Sequence, residues 1–401
     1  SVTGVQTCAL PILLFRSLKF EGDEHVVLGG TNDDDILRGD LGDDTLWGDG
    51  GNDYLVGGHG INRLHGGTGD DIIFDGGDIS FIHGDEGNDA INGGAGLGEL
   101  IFAGDGSDFV IAGIDGKEVF GGLGNDFIFG SPDLDFLLGG EGDDWIEGGE
   151  GFDTIAGDNS ELFFNSTIIG HDVMFAGANE NDFDAESGDD IMVQGESVMR
   201  NEGMLGFDWA IFKDSNVAAD ADMRIPIFTT VEADILRNRF DHVEALSGWD
   251  LDDSLIGDDR VLGDPDTTLD PGLPPPENTF DGDELTVEGV LRIEGLAGVL
   301  GLDEAALQAQ LDAGTIAANL SVFESGNILI GGDGSDTIQG NDGNDVIDGD
   351  AWLNVRIGVM VDVGGVLTEI GTTNYMQEAV QIYEDFQAQY GHLDKIGRAH
   401  V

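Results

Sequence analysis

The residues best suited to chemistry in this sequence are aspartates, and their spacing is fixed. Asp35, Asp44, Asp53, Asp71, Asp89, Asp108, Asp126, Asp135, Asp144 and Asp153 each stand sixth in a nine-residue unit, G-G-x-G-x-D-x-U-x with U apolar. Asp336 and Asp345 hold the same place in a second, shorter array. Fourteen units run in register from Gly30 to Ala156, with one extra residue placed at Phe102. Carboxylates joined by turn carbonyls offer oxygen alone, a ligand set that suits Ca2+ and not zinc or copper. Adjacent pairs such as Asp143/Asp144 could imitate an acid/base couple, but ligation and turn geometry account for them better. No H-E-x-x-H, G-x-S-x-G or P-loop pattern occurs, so neither a catalytic residue nor an organic cofactor site is expected in this segment.

The elements that position these carboxylates follow from the eighth place of each unit. It is apolar in all fourteen: Leu37, Leu46, Leu55, Leu64, Ile73, Ile82, Ile91, Leu100, Val110, Val119, Ile128, Leu137, Ile146 and Ile155. In a three-residue strand between turns only the middle side chain points inward, so these residues form the expected core. Two units make one coil, which stacks residues 18 apart at the strand spacing of ~4.8 Å. One edge then carries Asp35, Asp53, Asp71, Asp89, Asp108, Asp126 and Asp144, with about six gaps for ions under the repeat rule. The other reads Asp44, Asn62, Ser80, Gly98, Lys117, Asp135 and Asp153. Four successive coils there lack a carboxylate, Lys117 puts an ammonium where an ion would lie, and about one ion is expected, at Asp135 with Asp153.

Other side chains point outward. Ile61, Ile79 and Leu97, with Ile114 nearby, occupy turns where Asn or Asp is usual; they are either repeat decay or a dry contact stripe. Tyr54, Phe74, Phe109, Phe127, Phe129 and Trp145 fall on one sheet and Trp47, Phe81, Phe120 and Phe136 on the other, which favours packing in a larger assembly. His65 and His83 are neighbours on one sheet face, but no third metal ligand is in register, so they are read as surface imidazoles.

Composition agrees with a cation-dependent fold. Among 401 residues, 81 Asp and Glu oppose 15 Lys and Arg, a formal net charge of −66, and 67 residues are glycine. Such a charge repels itself in a compact chain unless cations bind, and it argues against nucleic acid and anionic membranes as partners. With 40% apolar residues, the economical expectation is a chain disordered without a counter-cation and ordered with one. No run reaches the ~18 apolar residues of a membrane span.

Both ends look foreign. SVTGVQTCALPI (1–12) and KIGRAHV (395–401) resemble the two reading directions of one sequencing-adapter oligonucleotide. KIGRAHV can be written AAG ATC GGA AGA GCA CAC GTC, whose reverse complement, read one frame along, encodes Thr-Cys-Ala-Leu-Pro-Ile, matching Thr7 to Ile12. Setting both ends aside as scars removes Cys8, the only cysteine, and with it disulfides and thiol chemistry; a cysteine-free chain fits a secreted bacterial protein. The expected organisation is a lead-in (13–29), a first roll (30–158), an irregular solenoid continuation (159–263) and a Pro-rich connector (264–280). A helical segment (281–325), with Asp303 as an N-cap, a second short array (326–350) and a truncated strand plus helix (351–394) follow. In that last part Trp352 to Val363 reads as strand and Met376 to Tyr390 as an amphipathic helix.

The nonapeptide resembles the RTX, or haemolysin-type, calcium-binding repeat. GGEGFDTIAGDNSELFFNSTIIGHDV, GFDWAIFKD with VEALSGWDLDD, and DVIDGDAWLNVRI also resemble the repeat region that follows the catalytic domain in very large secreted bacterial proteins of the animal-type haem peroxidase family. The resemblance implies an all-β fold: a right-handed parallel β-roll with an irregular solenoid continuation and a small helical insertion. It implies several bound Ca2+, a secreted, extracellular location by type I secretion, and haem, if any, only in an upstream part of the parent, with no haem ligand in this chain. The expected function is a module that folds on meeting extracellular Ca2+ and supports export, folding and stability of a large parent, with calcium ions and neighbouring domains as partners. The alternative is an adhesin or matrix-binding segment with outward aromatics as its ligand face. A direct part in peroxidase chemistry would require haem binding, for which the chain offers no axial pair.

Overall fold

The computed structural model describes residues 16–96, 98–158, 170–261, 282–362, 367–374, 382 and 396–397. The expected connector 264–280 and helix Met376 to Tyr390, Leu97 and the 1–12 scar lie wholly or almost wholly outside these residues. Contacts divide the chain into two compact units, 1–285 with 321–351 and 286–320 with 352–401.

The first unit is a parallel β-solenoid of about 17 turns. Short strands alternate between a 14-stranded sheet, from Arg16–Lys19 to Val346–Asp348, and an 11-stranded sheet, from Val27–Thr31 to Arg239–Asp241. Pairing is parallel and 18 residues apart through most of the repeats, Leu37 facing Leu55 and Leu46 facing Leu64. Strands run from three residues, as in Ile72–Phe74, to seven, as in Asp35–Leu41, because a turn interrupts every nine-residue repeat. In Ile72–Phe74 only the middle side chain is buried, as strand alternation requires.

The core is accordingly a single file. Leu37, Leu46, Leu55, Leu64, Ile82, Val110, Val119, Ile128, Leu137, Ile146 and Ile155 are all 0% exposed. The file continues through Met174, Met192, Ala210, Leu246 and Leu329. A fully buried aliphatic side chain stabilises by about 1.5–3 kcal/mol, so one per strand leaves most of each coil to be held by backbone pairing and by the turns.

One expected core position is corrected. Ile101 is 0% exposed and pairs with Ile82 and Val119, whereas Leu100 is only half-buried. The extra residue is therefore taken up in the turn 93–98, not after the strand at Phe102. A turn absorbs an insertion locally, whereas a slip within a strand turns every side chain to the opposite face. Glu99, not Gly98, consequently takes the sixth place of this unit.

Beyond Ala156 the sheets persist with longer excursions. Trp145 pairs with Val173, Val173 with Ile191, Ile191 with Trp209, Trp209 with Ala245, Ala245 with Ile328 and Ile328 with Val346. A small parallel sheet joins Asp220–Asp222, Ser254–Ile256 and Thr337–Gln339.

The second unit contains helices Val287–Arg292, Leu296–Val299 and Glu304–Asp312. The Asp303 side chain caps the last by accepting from the Ala306 N–H at 3.0 Å. Its strands Ile357–Asp362, Leu367–Thr373 and Ile396–Gly397 pair antiparallel. Trp352 to Arg356, expected as strand, precede the first of these without joining it.

Candidate metal centres

On the edge that leads into the larger sheet, the sixth-place aspartates form a continuous ladder. Each turns one carboxylate oxygen back to the coil before it. The N–H groups of Asp35, Asp53, Asp71, Asp89, Asp108 and Asp126 donate to Oδ1 of Asp53, Asp71, Asp89, Asp108, Asp126 and Asp144, each at 2.7 Å. At the first rung the Thr31 hydroxyl donates to Asp35 Oδ2 at 2.8 Å.

The second oxygen of each of these carboxylates from Asp53 to Asp144 is buried and has no hydrogen-bond partner among the described residues. Carbonyls converge beside it. A Cβ built on Gly48 would lie 2.1 Å from Asp53 Oδ2 and 2.2 Å from the Gly66 carbonyl oxygen; on Gly139 it would lie 2.1 Å from Asp144 Oδ2 and 2.4 Å from the Gly157 carbonyl oxygen. Only glycine admits this approach of oxygens. Unpartnered buried carboxylate oxygen is costly, and here it faces other oxygens instead of donors. The donor set therefore fits a hard cation that takes carboxylate and carbonyl ligands.

Electrostatics point the same way. Burial, reinforced by neighbouring carboxylates, raises Asp53, Asp71 and Asp89 from the ordinary 3.8 to about 7, although the backbone N–H bonds pull them down. Asp108 rises to about 6 and Asp126 to about 8 for the same chief reason. Asp144 is held well above the ordinary range by burial and by the Asp172 and Asp126 charges. Without a cation the stack retains protons near neutrality; a bound cation favours the charged form.

The ladder does not stop at Asp144. The N–H groups of Asp144, Asp172, Asp190 and Asp208 donate to Asp172 Oδ1 (2.8 Å), Asp190 Oδ1 (2.7 Å), Asp208 Oδ1 (2.8 Å) and Glu244 Oε2 (2.6 Å). Asp172, Asp190 and Asp208 also keep Oδ2 buried and unpartnered among the described residues. These four ladder members lie outside the nonapeptide pattern. For the three aspartates the signal is present: GHDVM, GDDIM and GFDWA place Gly-x-Asp at steps of 18, from Asp172 to Asp190 to Asp208, whereas Glu244 follows no such glycine. Only this half of each coil keeps the repeat. At Glu244 the buried Arg260 guanidinium closes the series, donating to Glu244 and to Asp283 Oδ2 at 3.3 Å.

The opposite edge is interrupted. Asp44 Oδ1 accepts from Val26 N–H at 2.9 Å and Asp153 Oδ1 from Asp135 N–H at 2.9 Å, and both keep Oδ2 unpartnered among the described residues. Asp135 instead has its carboxylate engaged by the Ser131 N–H and hydroxyl and by Lys117 N–H. Between Asp44 and Asp135 the protein supplies donors of its own, although both Glu99 oxygens lack a hydrogen-bond partner among the described residues. Asp75 accepts from Asn62 Nδ2 at 2.8 Å and from the Ser80 hydroxyl at 2.9 Å. Lys117 Nζ lies 3.4 Å from Glu99 Oε2, with both side chains 0% exposed, and donates to the carbonyls of Asp115, at 3.0 Å, and Gly96. Three positions here lack a carboxylate, Asn62, Ser80 and Lys117, in place of the four expected.

In the second array Asp336 Oδ1 accepts from Asp253 N–H, and Asp345 Oδ1 from Asn327 N–H, each at 2.9 Å. They stand in different ladders. Asp253 is a further member that sequence reading missed, accepting in turn from Ala219 N–H at 2.7 Å. The apolar turn residues Ile61, Ile79 and Ile114 remain 43, 47 and 63% exposed.

A family model described as the RTX calcium-binding nonapeptide repeat (4 copies) matches residues 29–64, 65–97, 120–158, 169–192 and 323–351. No curated protein matches the chain. The match at 169–192 covers Asp172 and Asp190, where the ladder outlasts the visible nonapeptide. This chain carries an RTX calcium-binding repeat region, and the roll itself is a structural, non-catalytic kind of domain.

Proposed function

We propose that this region is a calcium-triggered folding module of a larger secreted protein. Ca2+ would be held by Asp35, Asp53, Asp71, Asp89, Asp108, Asp126 and Asp144 with turn carbonyls, and onward by Asp172, Asp190 and Asp208, the row ending at Glu244, whose two oxygens accept from Asp208 N–H and Arg260. Asp44, Asp135, Asp153, Asp336 and Asp345 are assigned to the remaining sites. The observation that carries this reading is the row of buried carboxylate oxygens with no donor. Carboxylates stacked at ~4.8 Å oppose closure of the roll until a cation lies between them, so ion binding is coupled to folding. Export in the open form and closure outside the cell follow from the low calcium of the cytosol and the ~10⁻⁴–10⁻³ M affinity of extracellular calcium modules.

The occurrence of such repeats in secreted bacterial proteins supports the location, and the sequence resemblance to haem-peroxidase-family proteins supports that parent. Among the described residues no helix is long and apolar enough to cross a membrane. Outward aromatics such as Trp47, 43% exposed, and Phe74, 42% exposed, favour adhesion as the second reading. Limited proteolysis of the full chain separates the two. Cleavage throughout 30–156 in chelator, with protection on adding calcium, supports the folding module; equal resistance in both conditions supports a permanently folded adhesin.

A further inference from the structure

His65 and His83 lack a third ligand in the repeat register, and the fold supplies one from the neighbouring column. They pair directly across strands Arg63–Thr68 and Phe81–Glu86. Their rings stack with centroids 4.6 Å apart and planes at 4°, in a column that runs from Trp47 to Phe102 and Phe120. Asp85, two residues beyond His83, places Oδ2 3.4 Å from His65 Nδ1. One ligand atom from each of the three residues lies within 4.8 Å of the others.

We propose that His65, His83 and Asp85 form a binding site for one divalent transition metal of the zinc, nickel and copper class. Two imidazole nitrogens and one carboxylate are ligands of that class, whereas Ca2+ takes oxygen ligands. The site therefore differs in selectivity from the turn edges and lies on the sheet face beside the continuous ladder, where the Asp85 charge also acts on Asp71 and Asp89. It stands independently of the calcium reading.

The geometry is close to what binding requires. Ligand bonds of ~2.0–2.1 Å at tetrahedral angles place ligand atoms about 3.3 Å apart, which the Asp85 and His65 pair already meets. The parallel rings must turn about χ2, a broad torsion in histidine, to aim both lone pairs at one point. Asp85 has room to follow: its side chain is 40% exposed, and its neighbours on the adjacent strands are Gly67 and Gly104. Burial and the nearby His65 hold the His83 pKa below its ordinary 6.5, which favours the neutral ring that a metal takes. Elsewhere in the column Phe102 and Phe120 supply stacking with no ligand atom, so the imidazoles add a capacity that stacking does not need. A bound ion would tie two successive coils together.

The test uses the full chain in saturating calcium, titrated with Cu2+ and followed by electron paramagnetic resonance, and with Ni2+ by calorimetry. One equivalent with nitrogen ligation is expected. It should be lost in His65→Phe/His83→Phe, which preserves a ring at each place and should keep the wild-type circular dichroism. Asp85→Asn, at an exposed side chain, should bind at least tenfold more weakly, and His59→Ala should bind as wild type. Failure of the wild type to bind, or retention of the full equivalent by the double variant or unchanged affinity in Asp85→Asn, would overturn the proposal.

Discussion

Lys117 Nζ and Glu99 Oε2, 3.4 Å apart and wholly buried, form an ion pair on the edge of the roll whose carboxylate ladder is interrupted. The chain's own ammonium holds a place in the ladder that a metal would otherwise serve. Lysine cannot accept a hydrogen bond, so the side-chain ladder breaks there, and the ion pair with two donated bonds, to the carbonyls of Gly96 and Asp115, replaces it.

Removing that ammonium should be costly in a pH-dependent way. Lys117→Met leaves Glu99 buried without its partner, and loss of one member of a buried pair destabilises by about 3–5 kcal/mol. Burial already raises Glu99 to about 8, so the loss should be largest above pH 8 and shrink towards pH 6 as Glu99 takes a proton. Urea denaturation in calcium reads this directly. Lys117→Met/Glu99→Gln should recover most of the stability, and Lys117→Asp should gain one bound Ca2+ by equilibrium dialysis.

The continuation of the ladder predicts equivalence between distant aspartates. Asp190→Ala should raise the calcium midpoint of folding about as much as Asp89→Ala, since each removes a carboxylate shared by two gaps. Ser80→Ala should leave that midpoint nearly unchanged. An Asp190→Ala variant indistinguishable from wild type would confine the calcium ladder to the first array.

Those positions also show what was legible in the sequence. A nine-residue repeat announces strand, turn and inward residue in every copy, so the coil and the file from Leu37 to Ile91 could be read directly. Leu100 and Ile101 are adjacent and both apolar, so local pattern could not decide which one faces inward. That one-residue ambiguity hid Glu99, and with it the partner of Lys117. Asp172, Asp190 and Asp208 are obscured because the opposite half of each coil no longer keeps the nonapeptide order, with Asn181 in the ladder place after Asp153, while Glu244 and Asp283 meet Arg260 only through long excursions of the chain.

Acid should act oppositely with and without metal. Folded pKa values of about 7 for Asp53, Asp71 and Asp89, against 3.8 when unfolded, mean that the folded apo chain binds more protons between those limits. Its stability contribution from these groups is fully present below about pH 4 and is lost as pH rises through about 7. In chelator, lowering pH from 8 to 5 should therefore increase β-sheet circular dichroism. In calcium, the same change should release ions and weaken the holo form.

The central claim is that the roll closes because cations occupy its carboxylate ladder, and a calcium titration of the full chain tests it most directly. Starting in chelator at pH 7.5 and low ionic strength, far-UV circular dichroism should begin largely disordered and gain strand cooperatively at ~10⁻⁴–10⁻³ M calcium. A full β-sheet signal in chelator, unchanged by added calcium, would contradict the account.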